Sequence, residues 1–231
     1  MLRRLASFMR KEFSGMTGSD TQQADRISMQ EIFTRIYRCN HWGDPESVSG
    51  PGSGLERTSV FRNKLAGLFR EIGARSLLDA PCGDFNWMSE TPLELDRYVG
   101  VDVVAELITR NRQRYGSATR TFMHLDMTTD PLPRADVILS RDGLVHLSLS
   151  DCLAALRNFK RSQSGWLLAT TFIHFPANGD IATGGWRQLN LQKPPFNFPP
   201  PHRLIDEKCL HSGGIYADKR LGLWELRTLP L

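Results

Sequence analysis

The chain has 231 residues, a length that suits one α/β domain with an added segment. Apolar residues make up 40% of it, enough for a substantial buried core and too many for a disordered chain. The net charge is +4, but residues 1–26 hold five of the 29 Lys and Arg and three of the 25 acids, which leaves 24 against 22 in the rest. This near balance gives no clear signal for nucleic-acid binding.

The cysteine spacing and the apolar segments indicate the cellular compartment in which we expect the protein. The four cysteines are far apart and form no Cys-x-x-Cys, and no secretory signal is visible, so we expect reduced thiols in a cytoplasmic protein. No metal-ligand cluster is recognisable in the sequence. No apolar stretch approaches the roughly 20 residues that span a bilayer.

The first 26 residues are expected to be a flexible extension. They begin with a basic, amphipathic stretch and continue as a polar linker; a contact with a membrane surface or a transit role is the alternative for the start. We expect residues 27–231 to form a single domain. Within it, residues 27–58 form an N-terminal helix and lid loop, 59–172 a cofactor-binding core, and 173–231 an acceptor-side loop and terminal hairpin.

Helical spacing of apolar residues predicts the first elements. It indicates a helix over 28–39 and a second one from Phe61 to Ile72, which Gly73 can end. Between them, HWGDPESVSGPGSG (41–54) holds four glycines and two prolines and is predicted to be a loop. Further helices are predicted over 103–115 and over 149–162, the latter with Ser148 or Ser150 as its N-cap.

Short apolar strands alternate with these helices. They are predicted at 76–80, 98–102, 121–126, 136–140 and 166–172. RLIDEKCLH and LGLWELRTL, which flank a Gly-Gly turn, indicate an antiparallel hairpin at the sheet edge. The chain is therefore predicted to be an α/β protein with a doubly wound, mostly parallel, seven-stranded Rossmann-like sheet. The long non-periodic stretch 173–202 is typical of a functional or mobile loop.

Acidic residues end three successive predicted strands. They are Asp79, Asp102 and Asp126, and the fourth strand leads into Ser-Arg-Asp-Gly and then His146. Any one of these acids can equally be a helix N-cap. In a doubly wound sheet, however, ligands bind beyond the carboxyl ends of the strands. All three acids together, with Gly83 after the first, therefore indicate a ligand site.

The turn after the first strand discriminates between cofactors. A dinucleotide site needs G-x-G-x-x-G, but here only Gly83 is present, and we expect Phe85 to obstruct a pyrophosphate and Asp84 to repel it. A cofactor without phosphates fits better. An ammonium group near Asp79, a ribose diol at Asp102 and an adenine amino group at Asp126 together describe S-adenosylmethionine.

Several motifs resemble one enzyme family. LLDAPCGDF is similar to the glycine-rich first motif of class I S-adenosylmethionine-dependent methyltransferases, YVGVDVV to their ribose-binding strand end, and HLDMT to their adenine-contacting one. The resemblance covers roughly residues 60–230. More narrowly, WGDPESVSGPGSGLERT, RDGLVHLS and YADKRLGLWEL resemble a group of small bacterial methyltransferases, some of them associated with polysaccharide modification. Of the usual three glycines only the middle one is kept, at Gly83, which leaves the placement of the methionine moiety open.

The resemblance implies a set of cofactor contacts. Asp79 and Gly83 line the methionyl part, Asp102 accepts from both ribose hydroxyls, and Val103 and Met127 pack on the adenine, unless these two are plain core. The 41–54 loop closes over the donor through Trp42 and Ser53. The expected cofactor-binding residues are Asp79, Ala80, Gly83, Asp102, Val103, Asp126, Met127, Arg141, Trp42 and Ser53.

The remaining chemistry concerns the acceptor. A hydroxyl acceptor needs a base, for which His146 is the first candidate, with Asp142 as the alternative base or as a group that orients His146. Arg141 either binds an acidic group of a ligand or pairs with Asp142. A mixture of aromatic and polar residues suits a small molecule or saccharide. The expected acceptor-binding residues are Trp87, Trp186, Arg187 and Asn190.

The leading prediction is a methyltransferase that acts on a small-molecule or glycan-type acceptor, at oxygen. Pro194-Pro195-Phe196 resembles an element of nucleic-acid amino-methyltransferases, but Lys193 precedes it and it follows the fifth strand rather than the fourth, which argues against base methylation. A protein or RNA methyltransferase is one alternative, and a non-catalytic S-adenosylmethionine-binding module is another. An oxidoreductase is disfavoured by the turn after the first strand.

Overall fold

The computed structural model describes residues 27–209 and 212–231, so the predicted flexible extension 1–26 lies outside the described residues. A seven-stranded sheet with flanking helices forms the domain. The helices are α1 (Met29–Arg38), α2 (Leu55–Glu71), α3 (Asn86–Ser89), α4 (Ala105–Tyr115) and α5 (Leu149–Arg161). The strands are β1 (Ser76–Asp79), β2 (Arg97–Asp102), β3 (Arg120–His124), β4 (Val137–Ser140), β5 (Trp166–Phe172), β6 (Arg203–Asp206) and β7 (Lys219–Glu225).

The sheet has the order β3-β2-β1-β4-β5-β7-β6. The first five strands are parallel to one another, and β7 is antiparallel to both β5 and β6. The predicted fold class, a doubly wound sheet with an antiparallel C-terminal hairpin, is therefore confirmed. Within the described part of the chain, no helix combines the length and the apolar character needed to cross a membrane.

Two apolar cores lie on the two faces of the sheet. Leu77 and Leu78 are adjacent in β1, yet Leu77 belongs to the core beneath α2 and Leu78 to the core beneath α5, because successive side chains of a strand point to opposite faces. Phe61 of α2 and Phe159 of α5 are fully buried on their respective sides. The sheet is thus covered on both faces, and its carboxyl edge is the place left for a ligand.

The first residues of two helices show when neighbouring residues in the sequence are enough to predict where a helix begins. Ser148 is the N-cap of α5, accepting a hydrogen bond from the Asp151 amide at 3.1 Å, which decides between the two predicted caps. Helix α2 begins at Leu55, six residues before the predicted start. Its first amide donates to Glu46 Oε1 at 2.7 Å, so a carboxylate from the preceding loop serves as the cap.

The long segment 173–202 contains no helix or strand, and the structure describes all of it. It is nevertheless packed: Leu189, Leu191 and Phe196 are buried in the core beneath α5. Asn190 holds the segment from within, since its Nδ2 donates to the Phe175 carbonyl at 2.9 Å. The segment is thus part of the folded body rather than an open loop.

Candidate functional site

A cavity opens at the carboxyl ends of β1, β2 and β4. It holds about 1090 Å³ of space free of protein atoms, a volume that includes open solvent. The predicted site residues that line it are Trp42, Ser53, Asp79, Gly83, Trp87, Asp102, Val103, Met127, Arg141, Asp142 and His146. Those that do not line it are Ala80, Asp126, Trp186, Arg187 and Asn190.

Asp79 and Asp102 are buried carboxylates that line this cavity at the ends of β1 and β2. Asp79 and Asp102 are only 3% and 8% exposed. Tyr98 Oη donates to Asp79 Oδ2 at 2.7 Å, while Asp102 accepts from the Gly83 amide at 3.1 Å and the Val104 amide at 3.0 Å. None of these donors is a cation, so neither carboxylate has a bonded counter-charge.

Burial dominates the acidity of both groups. Burial, against the opposing hydrogen bond from Tyr98 and together with the nearby charge of Asp102, raises the pKa of Asp79 to about 7. It also raises the pKa of Asp102 to about 6, although the backbone amides oppose this. The cavity therefore carries negative charge that a cationic ligand, or a donor of hydrogen bonds, would stabilise.

The turn after β1 differs from the expectation based on Phe85. Phe85 is 2% exposed and packs among Tyr98, Tyr115 and Phe122, so it lies in the core and does not obstruct the cavity. Its φ of 60° is the left-handed value that usually requires glycine at this point of the turn.

Asp84 lines the cavity and is bonded to the loop before α2. It accepts hydrogen bonds from the Ser47 hydroxyl at 2.8 Å, the Val48 amide at 3.0 Å and the Ser49 hydroxyl at 3.1 Å. The expectation that Phe85 obstructs a ligand is therefore wrong, whereas Asp84 is one of the residues that line the cavity. What occupies the space beside Gly83 is the Ser49 hydroxyl, 2.3 Å from where a Cβ at position 83 would lie.

The end of β3 is only partly as predicted. The Asp126 carboxylate accepts from the Thr128 amide at 2.8 Å and from the Thr128 hydroxyl, so it caps its own turn, the plain alternative for an acid at this position. Leu125 and Met127 line the cavity in its place.

Ala80, which follows β1, is fully buried and donates its amide to the Leu139 carbonyl at 2.8 Å. This hydrogen bond continues the pairing of β1 with β4 at the carboxyl ends of the two strands.

Arg141 and Asp142 belong to a buried cluster of four charges. Arg141 Nε and Nη2 donate to Glu207 Oε2 at 2.9 and 2.7 Å, and Lys219 Nζ donates to Asp142 Oδ2 at 2.6 Å. Burial raises the pKa of Asp142, but the Lys219 ammonium and the Arg141 guanidinium outweigh it and hold that pKa well below its usual range. Asp142 is thus a poor base, and Arg141 is already committed to Glu207.

His146 has a defined tautomer. Its Nδ1 lies 2.7 Å from the Gly185 carbonyl, which can only accept, so Nδ1 carries the proton and Nε2 carries the lone pair. Burial lowers the pKa of His146, which keeps the ring neutral near pH 7. The Trp42 ring packs against it with 4.5 Å between centroids. Asp142, the alternative group for orienting this ring, accepts a hydrogen bond from Lys219, and the Gly185 carbonyl is the group bonded to Nδ1.

Three predicted acceptor residues serve other purposes. Arg187 is buried and its Nη1 donates to the Leu147 carbonyl at 2.7 Å, which supports the turn that carries His146. Asn190 holds the long segment, as described above. Trp186 is 40% exposed and packs edge-on against Tyr216, outside the cavity. The polar atoms of Arg187 and Asn190 bind backbone groups, and sequence patterns do not distinguish such contacts from ligand contacts.

Several cavity residues were not predicted. Helix α1 contributes an apolar wall through Met29, Phe33, Ile36 and Tyr37, and the loop before α2 contributes Val48 and Ser49. The helical spacing of these apolar residues predicted a helix, but nothing in the spacing indicated that they line a cavity. No group of side chains able to hold a metal ion occurs in residues 27–209 or 212–231.

Comparison with known proteins places the fold. No family model matches the chain. In sequence it is similar to uncharacterized methyltransferases of Mycobacterium bovis and Mycobacterium tuberculosis, at 24% identity over 58% of this chain and 74% of each relative.

Two solved structures share the fold over most of the chain. Magnesium protoporphyrin IX methyltransferase from Synechocystis PCC 6803 with bound S-adenosylmethionine has a TM-score of 0.57 and 12% identity, and the match covers 88% of this chain and 99% of that one. Human N-acetylserotonin methyltransferase in complex with S-adenosylmethionine has a TM-score of 0.52 and 14% identity, covering 96% and 65%. The predicted resemblance is confirmed: the chain has the fold of S-adenosylmethionine-dependent methyltransferases, and its curated relatives are named methyltransferases.

Replacing Glu207 by Gln is expected to lower the free energy of unfolding by about 3–5 kcal/mol, because Arg141 and Lys219 then remain buried opposite Asp142 alone. Urea unfolding at neutral pH measures this. Glu71→Gln is the matched control: Glu71 pairs with Arg203 at the surface, where both side chains are about half exposed, and its loss should be much smaller. Equal losses in the two variants would contradict the assignment of a buried, tightly coupled cluster.

Proposed function

We propose that this chain transfers a methyl group from S-adenosylmethionine to a small-molecule or glycan-type acceptor, at oxygen. The observation that carries the proposal is the pair of buried carboxylates, Asp79 and Asp102, with His146 in the same cavity. When bound, the donor supplies a methyl group activated by a sulfonium centre. The protein's own residues bind the donor, exclude water and accept the proton of the acceptor.

The residues present fit the donor. Its sulfonium and ammonium groups are cations, and the two carboxylates have no cationic bond partner. Asp79 is assigned to the ammonium end, and Asp102 is assigned to the ribose diol, for which a carboxylate with two acceptor oxygens is suited. Val103 and Met127 are assigned to the adenine, together with Leu125, which replaces Asp126 at the cavity wall.

His146 is assigned as the base for the acceptor hydroxyl. Its Nε2 holds the lone pair, and a neutral imidazole accepts a proton near pH 7. Nε2 would take the hydroxyl proton as the acceptor oxygen bonds to the methyl carbon and the bond from that carbon to the donor sulfur breaks, which leaves the neutral thioether S-adenosylhomocysteine. The Gly185 carbonyl at Nδ1 would stabilise the developing imidazolium. Holding acceptor and donor in line supplies the remaining acceleration. Asp142 is not retained as a base, since its partners keep it ionised and paired.

The affinity for S-adenosylmethionine is expected to fall as the pH is lowered from about 7.5 to about 5.5. The pKa of Asp79 is about 7 and that of Asp102 about 6, so both groups take up protons over this range and lose the charge that attracts a cation. Calorimetric titration at a series of pH values measures the effect.

Two variants sharpen that titration. Asp79→Asn should bind more weakly at about pH 7.5 and should show a flatter pH dependence, because the group that titrates first is gone. Asp96→Asn, which changes an exposed carboxylate that pairs with Arg75 outside the cavity, should behave like the unchanged protein. No binding at any pH, or binding that tightens on acidification, would overturn the proposal.

His146→Ala is expected to slow methyl transfer about 10²-fold while leaving the affinity for S-adenosylmethionine unchanged. The rate is measured with labelled donor on an acceptor found by screening small polar hydroxyl compounds and oligosaccharides. A variant that keeps the full rate would show that His146 is not the base. Binding of the donor by the unchanged protein with no transfer to any acceptor class would instead favour a non-catalytic binding module.

A further inference from the structure

The loop from Asp44 to Gly54 is bound to the turn after β1 through one carboxylate. Asp84 is 9% exposed and accepts hydrogen bonds from Ser47, Val48 and Ser49. Its own amide donates to the Ser49 hydroxyl at 3.0 Å. Three consecutive residues of the loop are thus fixed by a single side chain, which is an unusually concentrated anchor for a segment without regular structure.

Gly83 makes this contact possible. Its φ is +54°, and a Cβ there would lie 2.3 Å from Ser49 Oγ. Any larger residue would therefore push Ser49 away from the turn. The one glycine that this turn keeps from the usual three serves to admit the Ser49 side chain.

The other end of the loop is fixed as well. Glu46 Oε1 accepts from the Leu55 amide and from Asn86 Nδ2, each at 2.7 Å. Arg141 Nη2 donates to the Gly52 carbonyl at 2.9 Å. The loop is consequently held at several points against the carboxyl edge of the sheet.

The fixed loop forms one wall of the cavity. Val48, Ser49 and Ser53 line it, as do Asp79, Gly83 and Asp84. Val103 and Met127, assigned above to the adenine, follow the neighbouring strands β2 and β3. The loop is bonded at Ser49 to the turn that follows β1, and β1 ends at Asp79, to which the donor's ammonium group is assigned.

We propose that Ser49 contacts the amino-acid end of S-adenosylmethionine and that Asp84 is the residue that positions it. The inference rests on the proposed function and deepens it. The Ser49 hydroxyl donates to Asp84 and accepts from the Asp84 amide, which leaves one lone pair for an ammonium group. In the usual first motif, glycine backbone forms this wall of the cavity. Here the side chain of Ser49 forms it, from a loop that lies 35 positions before Asp84 in the chain.

The test is calorimetric titration of Asp84→Asn with two ligands. S-adenosylmethionine should bind at least about tenfold more weakly, since the charge and one of the two accepting oxygens of the anchor are lost. Methylthioadenosine, which has the same nucleoside but no amino-acid end, should bind as it does to the unchanged protein. Ser49→Ala should weaken S-adenosylmethionine binding too, and should add little when combined with Asp84→Asn, because both act through one contact.

Asp136→Asn is the matched control. Asp136 also accepts from two amides and a serine hydroxyl, those of Arg75 and Ser76, at 2.8 to 2.9 Å, but at the amino end of β1, away from the cavity. It should leave both affinities unchanged. Hydrogen exchange without ligand provides a second measurement: Asp84→Asn should speed exchange of the amides of residues 47–53 and leave those of the central strands protected.

Three results would overturn the inference. Asp84→Asn that binds S-adenosylmethionine with unchanged affinity would show that the anchor does not affect the donor. Equal weakening for S-adenosylmethionine and methylthioadenosine would show that the loop does not act at the amino-acid end. Absence of S-adenosylmethionine binding by the unchanged protein would remove the proposed function itself, and this result is recognisable because no variant is needed to obtain it.

Discussion

Parallel pairing of β1 with β2 and with β4 is the constraint on which the site depends. In this register Asp79 lies beside Gly100 of β2 and Leu139 of β4, so the turns that follow these strands meet at one edge of the sheet. Asp102 and His146 reach the same cavity although they are far apart in the chain. The loop before α2 then closes against this edge, held by Asp84 and Glu46.

The electrostatics of the cavity follow from how the charges are partnered. On one side, Asp142 and Glu207 are neutralised by Arg141 and Lys219, so this cluster is internally balanced. On the other, Asp79 and Asp102 are buried with neutral donors only, and burial raises the pKa of both. A carboxylate pair of this kind is costly in the absence of a ligand, and a cation offsets the cost.

The sequence predicted the sheet and the cavity residues at strand ends, because strand periodicity and topology together determine which edge those residues occupy. It did not predict contacts that depend on the packing of distant segments. Asp126 and Asn190 bind nearby backbone, and Arg187 supports the turn of His146, whereas ligand roles were expected for all three. Glu207 pairs with Arg141 across 66 positions, and no local pattern indicates such a partner. Phe85 was misjudged for the same reason, since only the folded aromatic cluster shows where its ring is buried.

The assignment of the donor site is tested most directly by a crystal structure of the protein with S-adenosylhomocysteine, the demethylated product of the donor. We expect the ribose hydroxyls within hydrogen-bond distance of the Asp102 carboxylate, the adenine against Val103 and Met127, and the amino-acid end beside Asp79 and Ser49. A ligand bound outside this cavity, or bound within it with the ribose turned away from Asp102, would contradict the central claim that these strand ends form the donor site.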